Sequence, residues 1–180
     1  MRLLLLRHAK SDWSDAARGD EDRPLTARGR KAAAAMGAYM CEHRYVPGRV
    51  LCSTARRTRE TLEWLLPALG ANPSVAYDES LYLAEWPRLL REIQAAPDAA
   101  SPVLVIGHNP GLQELAVALV REPDEKSERA RVKKLKEKFP TGALAVIDFD
   151  VKAWSDVAPG IGRLCEYVRP KELAGADGDD

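Results

Sequence analysis

The sequence predicts an α/β fold: a three-layer sandwich with a mostly parallel central sheet and helices on both faces. Three observations predict it. The runs "RLLLL", "RVLCS" and "PVLVIG" are rich in Leu, Val and Ile, too short for helices, and bounded by turn formers. Segments with helical period lie between them, the alternation that builds parallel strands joined by crossover helices. At 180 residues and 46% apolar content, the chain is sized for one domain with a full core rather than two.

The first strand, Arg2 to Leu6, has no room for a helix and leaves Arg7 and His8 at its C-terminal end. Thr26 then caps a helix whose Met36, Tyr39 and Met40 share a face. A second strand, Arg49 to Ser53, leads into a helix in which Leu62, Leu65, Leu66 and Leu69 recur at i, i+3, i+4 and i+7. A weaker strand at Ser74 to Tyr77 and a helix from about Glu85 to Ala95 continue the rhythm. Pro102 to Gly107 is the next strand. Asn109 as N-cap and Pro110 in the first turn open a helix with Leu112, Leu115, Ala116 and Leu119 on one side. Two late runs, Ala143 to Phe149 and Leu164 to Val168, add strands. The domain is expected to span residues 1–169. The acidic, small-residue stretch 170–180 is expected to be a disordered tail.

Charge and cysteine usage narrow the class. Lys plus Arg equals Asp plus Glu at 27 each, so no global field favours nucleic acid or a membrane surface, and neither is expected as a partner. Cys41, Cys52 and Cys165 are odd in number and lack C-x-x-C spacing, which suits reduced thiols in a cytoplasmic protein better than a disulfide framework or a zinc site. Leu3 to Leu6 is too short for a signal peptide or a membrane span, and Arg7 ends it. The segment 121–138 holds eight basic and five acidic residues. It reads as a solvated helix laced with ion pairs, with a basic arm that steers an acidic or phosphorylated partner as the alternative. Nothing in the sequence sets an oligomeric state.

Ligands of parallel α/β sheets bind beyond the C-terminal strand ends. Three such ends carry polar residues here: Arg7-His8, "STARRTRET" after Ser53, and "GHNPGL" after Ile106. His108 is expected ahead of a helix start whose free amides favour an anion, facing the same pocket as His8. Arg56, Arg57 and Arg59 in the first turns of a helix oppose its macrodipole, so at least one is expected to meet an anion. Two imidazoles and at least two guanidiniums, with no nearby pair of carboxylates, suit a phosphoryl group. Neighbouring cations should keep His8 unprotonated, so that it forms a covalent phosphohistidine later cleaved by water; no metal or cofactor is needed. Taken singly, each motif has an ordinary structural reading; their shared place at strand ends favours a site. His43 is expected to have no role.

These residues resemble the histidine phosphatase superfamily, which has the phosphoglycerate mutase-like fold, from Arg2 to about Val168. Arg7-His8 matches the signature after the first strand. Arg57 lies four residues after Ser53 and four before Thr61, as the second arginine of the family does, and His108 in "GHNPGL" matches the second histidine. "RHAKSDW", "DRPLTARG", "LYLAE" and "GHNPGL" are similar to the SixA branch, the small phosphohistidine phosphatases. The resemblance implies His8 as nucleophile, Arg7 and Arg57 as phosphate clamps, and His108 as a phosphate-binding or proton-handling partner. Asn109 and Ser14 are further substrate-binding candidates, Ser14 standing where mutase-like branches place a phosphate-holding Asn. Ala9 replaces the Gly of those branches, and Leu83 stands where they carry a general acid, with Glu79 and Glu85 nearby but out of register. A missing acid disfavours alkoxide leaving groups and favours a P–N substrate. The expected partner is therefore a phosphohistidine-bearing protein. The alternatives are a small phosphorylated substrate of a phosphomonoesterase or mutase, with Glu79, Glu85 or His108 as acid, and a phosphate-binding module without catalysis.

Overall fold

A computed structural model of the chain describes residues 1–15, 17 and 19–173; Ala16, Arg18 and residues 174–180, most of the expected tail, lie outside the described residues. Six strands form one sheet: β1 (Arg2–Arg7), β2 (Arg49–Ser53), β3 (Ser74–Asp78), β4 (Val103–Gly107), β5 (Leu144–Asp148) and β6 (Arg163–Val168). Their order across the sheet is β3-β2-β4-β1-β5-β6. The first four are mutually parallel, β3 to β2, β2 to β4 and β4 to β1. The last two return antiparallel at one edge. The sheet is thus mostly parallel, as expected for strands joined by helical crossovers.

Among the described residues, five α-helices cover it. α1 (Ala27–Glu42) and α2 (Arg56–Leu69) lie on one face; α3 (Trp86–Gln94), α4 (Gly111–Leu119) and α5 (Lys126–Glu137) lie on the other. The leucine run at the N-terminus serves both. Successive strand residues point to opposite faces, so Leu4 and Leu6 enter the core with Met36, Met40, Leu62 and Leu65. Leu3 and Leu5 enter the other with Leu89, Ile93, Leu112 and Leu115. All four are fully buried, and each contributes roughly 1.5–3 kcal/mol of transfer free energy. A strand held from both sides fixes the position of whatever follows it, which here is Arg7-His8.

Two expectations need correction. The fold continues past residue 169: Pro170–Glu172 form a 3-10 turn, Glu172 pairs with Arg169 at 2.9 Å and Lys134 at 3.3 Å, and Leu173 packs on the core beneath α1 and α2. Asn109 is not the cap of α4, a place taken by Pro110. Its side-chain amide turns instead to Gln113 Oε1 at 3.2 Å and the Phe139 carbonyl at 3.0 Å. The charged segment 121–138 contains α5, with Val132 and Leu135 facing inward, ion pairs Arg121–Asp124 and Lys133–Glu137 on its surface, and a buried Glu128 that meets Arg121 at 3.6 Å. No helix among the described residues is long and apolar enough to cross a membrane.

Candidate active site

The ends of β1, β2 and β4 meet. Arg7 is in register with Gly107, and the His8 amide donates to the Gly107 carbonyl at 3.1 Å. The two imidazoles are therefore neighbours, with ring centroids 5.3 Å apart, and both are buried, His8 at 7% and His108 at 3% exposure. α2 supplies the third wall. Ser53 ends β2, and Arg57 and Thr61 follow at four-residue intervals, one helical turn apart on the buried face. Thr61 Oγ1 accepts from the Ala9 amide at 3.0 Å and donates to the Arg57 carbonyl at 2.6 Å, tying the residue after His8 to the helix that carries Arg57. Gly29 of α1 lets the Lys10 backbone approach, since a Cβ there would lie 2.1 Å from the Lys10 oxygen.

Hydrogen bonds fix which nitrogen of each ring carries its proton. His8 Nδ1 lies 2.8 Å from the Ala9 carbonyl, which can only accept, so Nδ1 is the donor and Nε2 keeps its lone pair. His108 shows the reverse. Its Nδ1 lies 3.2 Å from Nη2 of Arg57, a permanent donor, so Nδ1 accepts and Nε2–H donates to Ser53 Oγ at 2.8 Å. Both rings are neutral. Burial, opposed by the Ala9 hydrogen bond and assisted by Arg57, Arg7 and Arg23, brings the His8 pKa down to about 3. Burial and then Arg57 do the same for His108, also to about 3. Burial, rather than the neighbouring cations alone, is thus the main cause of the depression.

Two guanidiniums complete the cluster at these strand ends. Arg7 donates through Nη1 to the Phe139 carbonyl at 2.8 Å, while its buried Nε has no protein partner among the described residues. Burial and then Arg57 lower its pKa. Arg57, 3% exposed, donates to the Asp20 carbonyl at 2.6 Å, to Asp20 Oδ2 at 2.9 Å and to His108. Asp20 is a carboxylate that the sequence motifs did not single out. It also accepts from Arg23 Nη1 at 2.6 Å and from the Tyr82 hydroxyl at 2.5 Å. Burial works against its ionised form, but Tyr82, Arg23 and Arg57 outweigh burial and hold its pKa at about 2. Arg23 in turn bonds to Ser11 and lies under the exposed Trp13 ring, 3.2 Å from its centroid. Tyr82 stands edge-on to His108, with centroids 5.4 Å apart.

His8, His108, Arg7 and Arg57 are therefore brought together. Ser14 is not with them: its hydroxyl and amide both turn to the Asp12 carboxylate, at 2.9 and 2.8 Å. Asn109 adjoins the site through the Phe139 carbonyl that Arg7 also holds. Arg56 bonds to Glu60 at 2.6 Å and Arg59 is exposed, which leaves Arg57 alone of the three facing inward. Leu83 is half-exposed, in left-handed backbone with φ of 48°. Glu79 and Glu85 are exposed, and neither hydrogen-bonds to a site residue among the described residues. His43 stacks on Tyr39, with centroids 3.9 Å apart. No cluster of His, Cys, Asp or Glu among the described residues is arranged to hold a metal ion. Arg23 and Tyr82 fall inside the motifs "DRPLTARG" and "LYLAE", but no spacing there signals their chemistry, and Asp20 lies two residues ahead of the first motif.

A phosphoglycerate mutase-like sandwich with an unprotonated, buried imidazole among guanidiniums at its parallel strand ends belongs to the class of phosphoryl-transferring enzymes. Comparison with known proteins names it further. The family model of the histidine phosphatase superfamily (branch 1) matches residues 3–88. The uncharacterized Mycobacterium tuberculosis protein Rv1276c is 34% identical over 166 residues, 92% of this chain and all of that one. The structure of a candidate phosphohistidine phosphatase SixA from Nakamurella multipartitia is 34% identical with a TM-score of 0.80, covering 94% of this chain and 95% of that one. Its counterpart from Agrobacterium tumefaciens is 29% identical with a TM-score of 0.77, covering 94% and 97%. The chain belongs to the histidine phosphatase superfamily, in its SixA-like branch, and is a phosphatase-type enzyme.

Proposed function

We propose that this protein dephosphorylates phosphohistidine on a protein partner, without a metal, through a phosphoryl group held covalently on His8 Nε2. The observation that carries the reading is the surroundings of His8: the Ala9 carbonyl holds the proton on Nδ1, which leaves Nε2 free, and the charges of Arg57 and Arg7 bear on the same ring. Transfer from one imidazole to another then balances without any acid. In the substrate, phosphorus sits on one ring nitrogen and a proton on the other. The lone pair of His8 Nε2 forms the new P–N bond, the old P–N bond breaks, and its electron pair leaves on the substrate nitrogen, giving a neutral imidazole. His8 now carries phosphorus on Nε2 and keeps its proton on Nδ1, a cationic ring stabilised by the Ala9 carbonyl. Water completes the cycle: its oxygen bonds to phosphorus, the electron pair returns to Nε2, and its proton passes to phosphate or solvent. The guanidiniums offset charge on the equatorial oxygens throughout.

An ester substrate lacks this symmetry, because its alkoxide needs a proton. Glu79 and Glu85 lie outside the site, and Asp20 is held ionised. The exposed Trp13 and Leu83, with Tyr82 between Asp20 and His108, leave a rim that a protein side chain can enter. Three free thiols suit a reducing, cytoplasmic setting. The test is phosphate release in excess EDTA from a phosphohistidine-bearing protein and from a phosphoserine peptide. Release confined to the first, with an acid-labile, alkali-stable phosphoenzyme, is the expected result. Equal or faster release from phosphoserine would overturn the substrate assignment and point to a small-molecule or ester phosphatase.

A further inference from the structure

We infer that Asp20 is a specificity-determining residue: its carboxylate at the mouth of the site selects substrates whose leaving group is a protonated imidazole and opposes those whose leaving group gains negative charge. The inference deepens the phosphohistidine reading and rests on it.

The geometry places Asp20 on the leaving-group side. In-line transfer to His8 Nε2 requires the departing atom to lie opposite the buried imidazole, towards the open mouth. Asp20 stands on the solvent side of the site: it holds the buried Arg57, its charge bears on the buried His108, and its own side chain is 43% exposed. Three donors fix it there, Arg23 on Oδ1 and Arg57 and Tyr82 on Oδ2. Two carboxylate oxygens offer about four acceptor positions, so Oδ1 retains capacity for one further donor. The N–H of a phosphorylated imidazole, on the ring nitrogen that does not carry phosphorus, has the matching chemistry. An imidazolium beside a fixed carboxylate stays protonated more readily, and protonation is what lets it leave as a neutral ring. An alkoxide or phenoxide developing at the same place meets a like charge instead. The residue's ionised state, secured by the same three donors, suits this role and rules it out as proton donor near neutral pH.

Asp20 also occupies both terminal nitrogens of Arg57, so its replacement will alter phosphate affinity for every substrate. A ratio of two substrates removes that common effect. The experiment therefore measures kcat/KM on phosphoimidazole and on phenyl phosphate at pH 7 for the wild type, Asp20→Asn, Asp20→Ala and Asp20→Glu. The expected result is a fall of about tenfold in the phosphoimidazole-to-phenyl phosphate ratio in the Asn and Ala variants, the order of one charge interaction at a solvated mouth, with the ratio retained in the Glu variant. An unchanged ratio in the Asn and Ala variants, whatever happens to each rate, overturns the inference and leaves Asp20 as a positioning residue for Arg57. A wild-type ratio near one overturns the phosphohistidine reading itself, and this inference with it.

Discussion

His8 and His108 are the same residue at equivalent places, each just beyond the end of a parallel strand, and the structure gives them opposite nitrogens. His8 donates from Nδ1 to its neighbour's carbonyl and presents a bare Nε2; His108 donates from Nε2 to Ser53 and lends Nδ1 to Arg57. Burial of both rings and a like depression of their pKa values therefore do not make equal roles. One short backbone contact leaves a ring free to act as the proposed nucleophile, and one side-chain contact leaves a ring that supports Arg57.

The largest test of that contrast is His8→Ala, which should lower turnover of phosphohistidine by at least about 10⁴-fold, as removal of a covalent nucleophile does elsewhere. Loss of phosphoenzyme labelling should accompany it. His108→Ala should cost less, about 10²–10³-fold, the range for one group that stabilises transferring charge; it should leave a detectable phosphoenzyme. Comparable losses in the two variants would erase the distinction drawn here. Ser53→Ala, which only orients His108, should cost about tenfold, at the low end for a residue acting through a ligand's far nitrogen.

The effect of pH is gentler and is read in stability. Both histidines have folded-state values near 3, below the ordinary 6.5. In the unfolded chain they bind protons below 6.5, whereas the native protein does not. Their contribution is therefore intact above 6.5 and is lost progressively as pH falls towards 3, by up to about 1.4 kcal/mol per pH unit for each ring. Denaturant titrations between pH 7 and 4 should show this slope, reduced in His8→Gln. A His8→Gln slope equal to that of the wild type would mean that the buried ring is protonated after all.

Much of this was legible because the sheet announces itself. Short Val, Leu and Ile runs mark β1, β2 and β4, and the polar residues that follow them fall at one edge of a parallel sheet by topology alone. The four-residue spacing from Ser53 through Arg57 to Thr61 is one helical face, and each residue has a distinct task there. Asp20 was hidden for a physical reason. It sits in "GDEDR", an acidic, glycine-led stretch of the kind that normally solvates a loop, and only folding brings it across 37 positions to Arg57. Asn109 misled because capping propensity is local, whereas the Phe139 carbonyl that draws its amide lies 30 residues on. The turn at 170–172 likewise has a distant partner, Lys134, which pairs with Glu172 across 38 positions beside the local Arg169.

The Phe139 carbonyl has one more consequence. It lies just past α5 and is gripped by Arg7 and Asn109, while Gln113 holds the Leu135 and Lys136 carbonyls one turn earlier. The strand end that carries His8 thus also serves, through Arg7, as a clasp between the first strand and the last third of the chain. Substitutions at Arg7 will loosen the molecule as well as disable it, and a screen for inactive variants would score the two together. Anyone wishing to retune the enzyme for another substrate should leave the clasp intact and vary Leu83, the half-exposed neighbour of Tyr82.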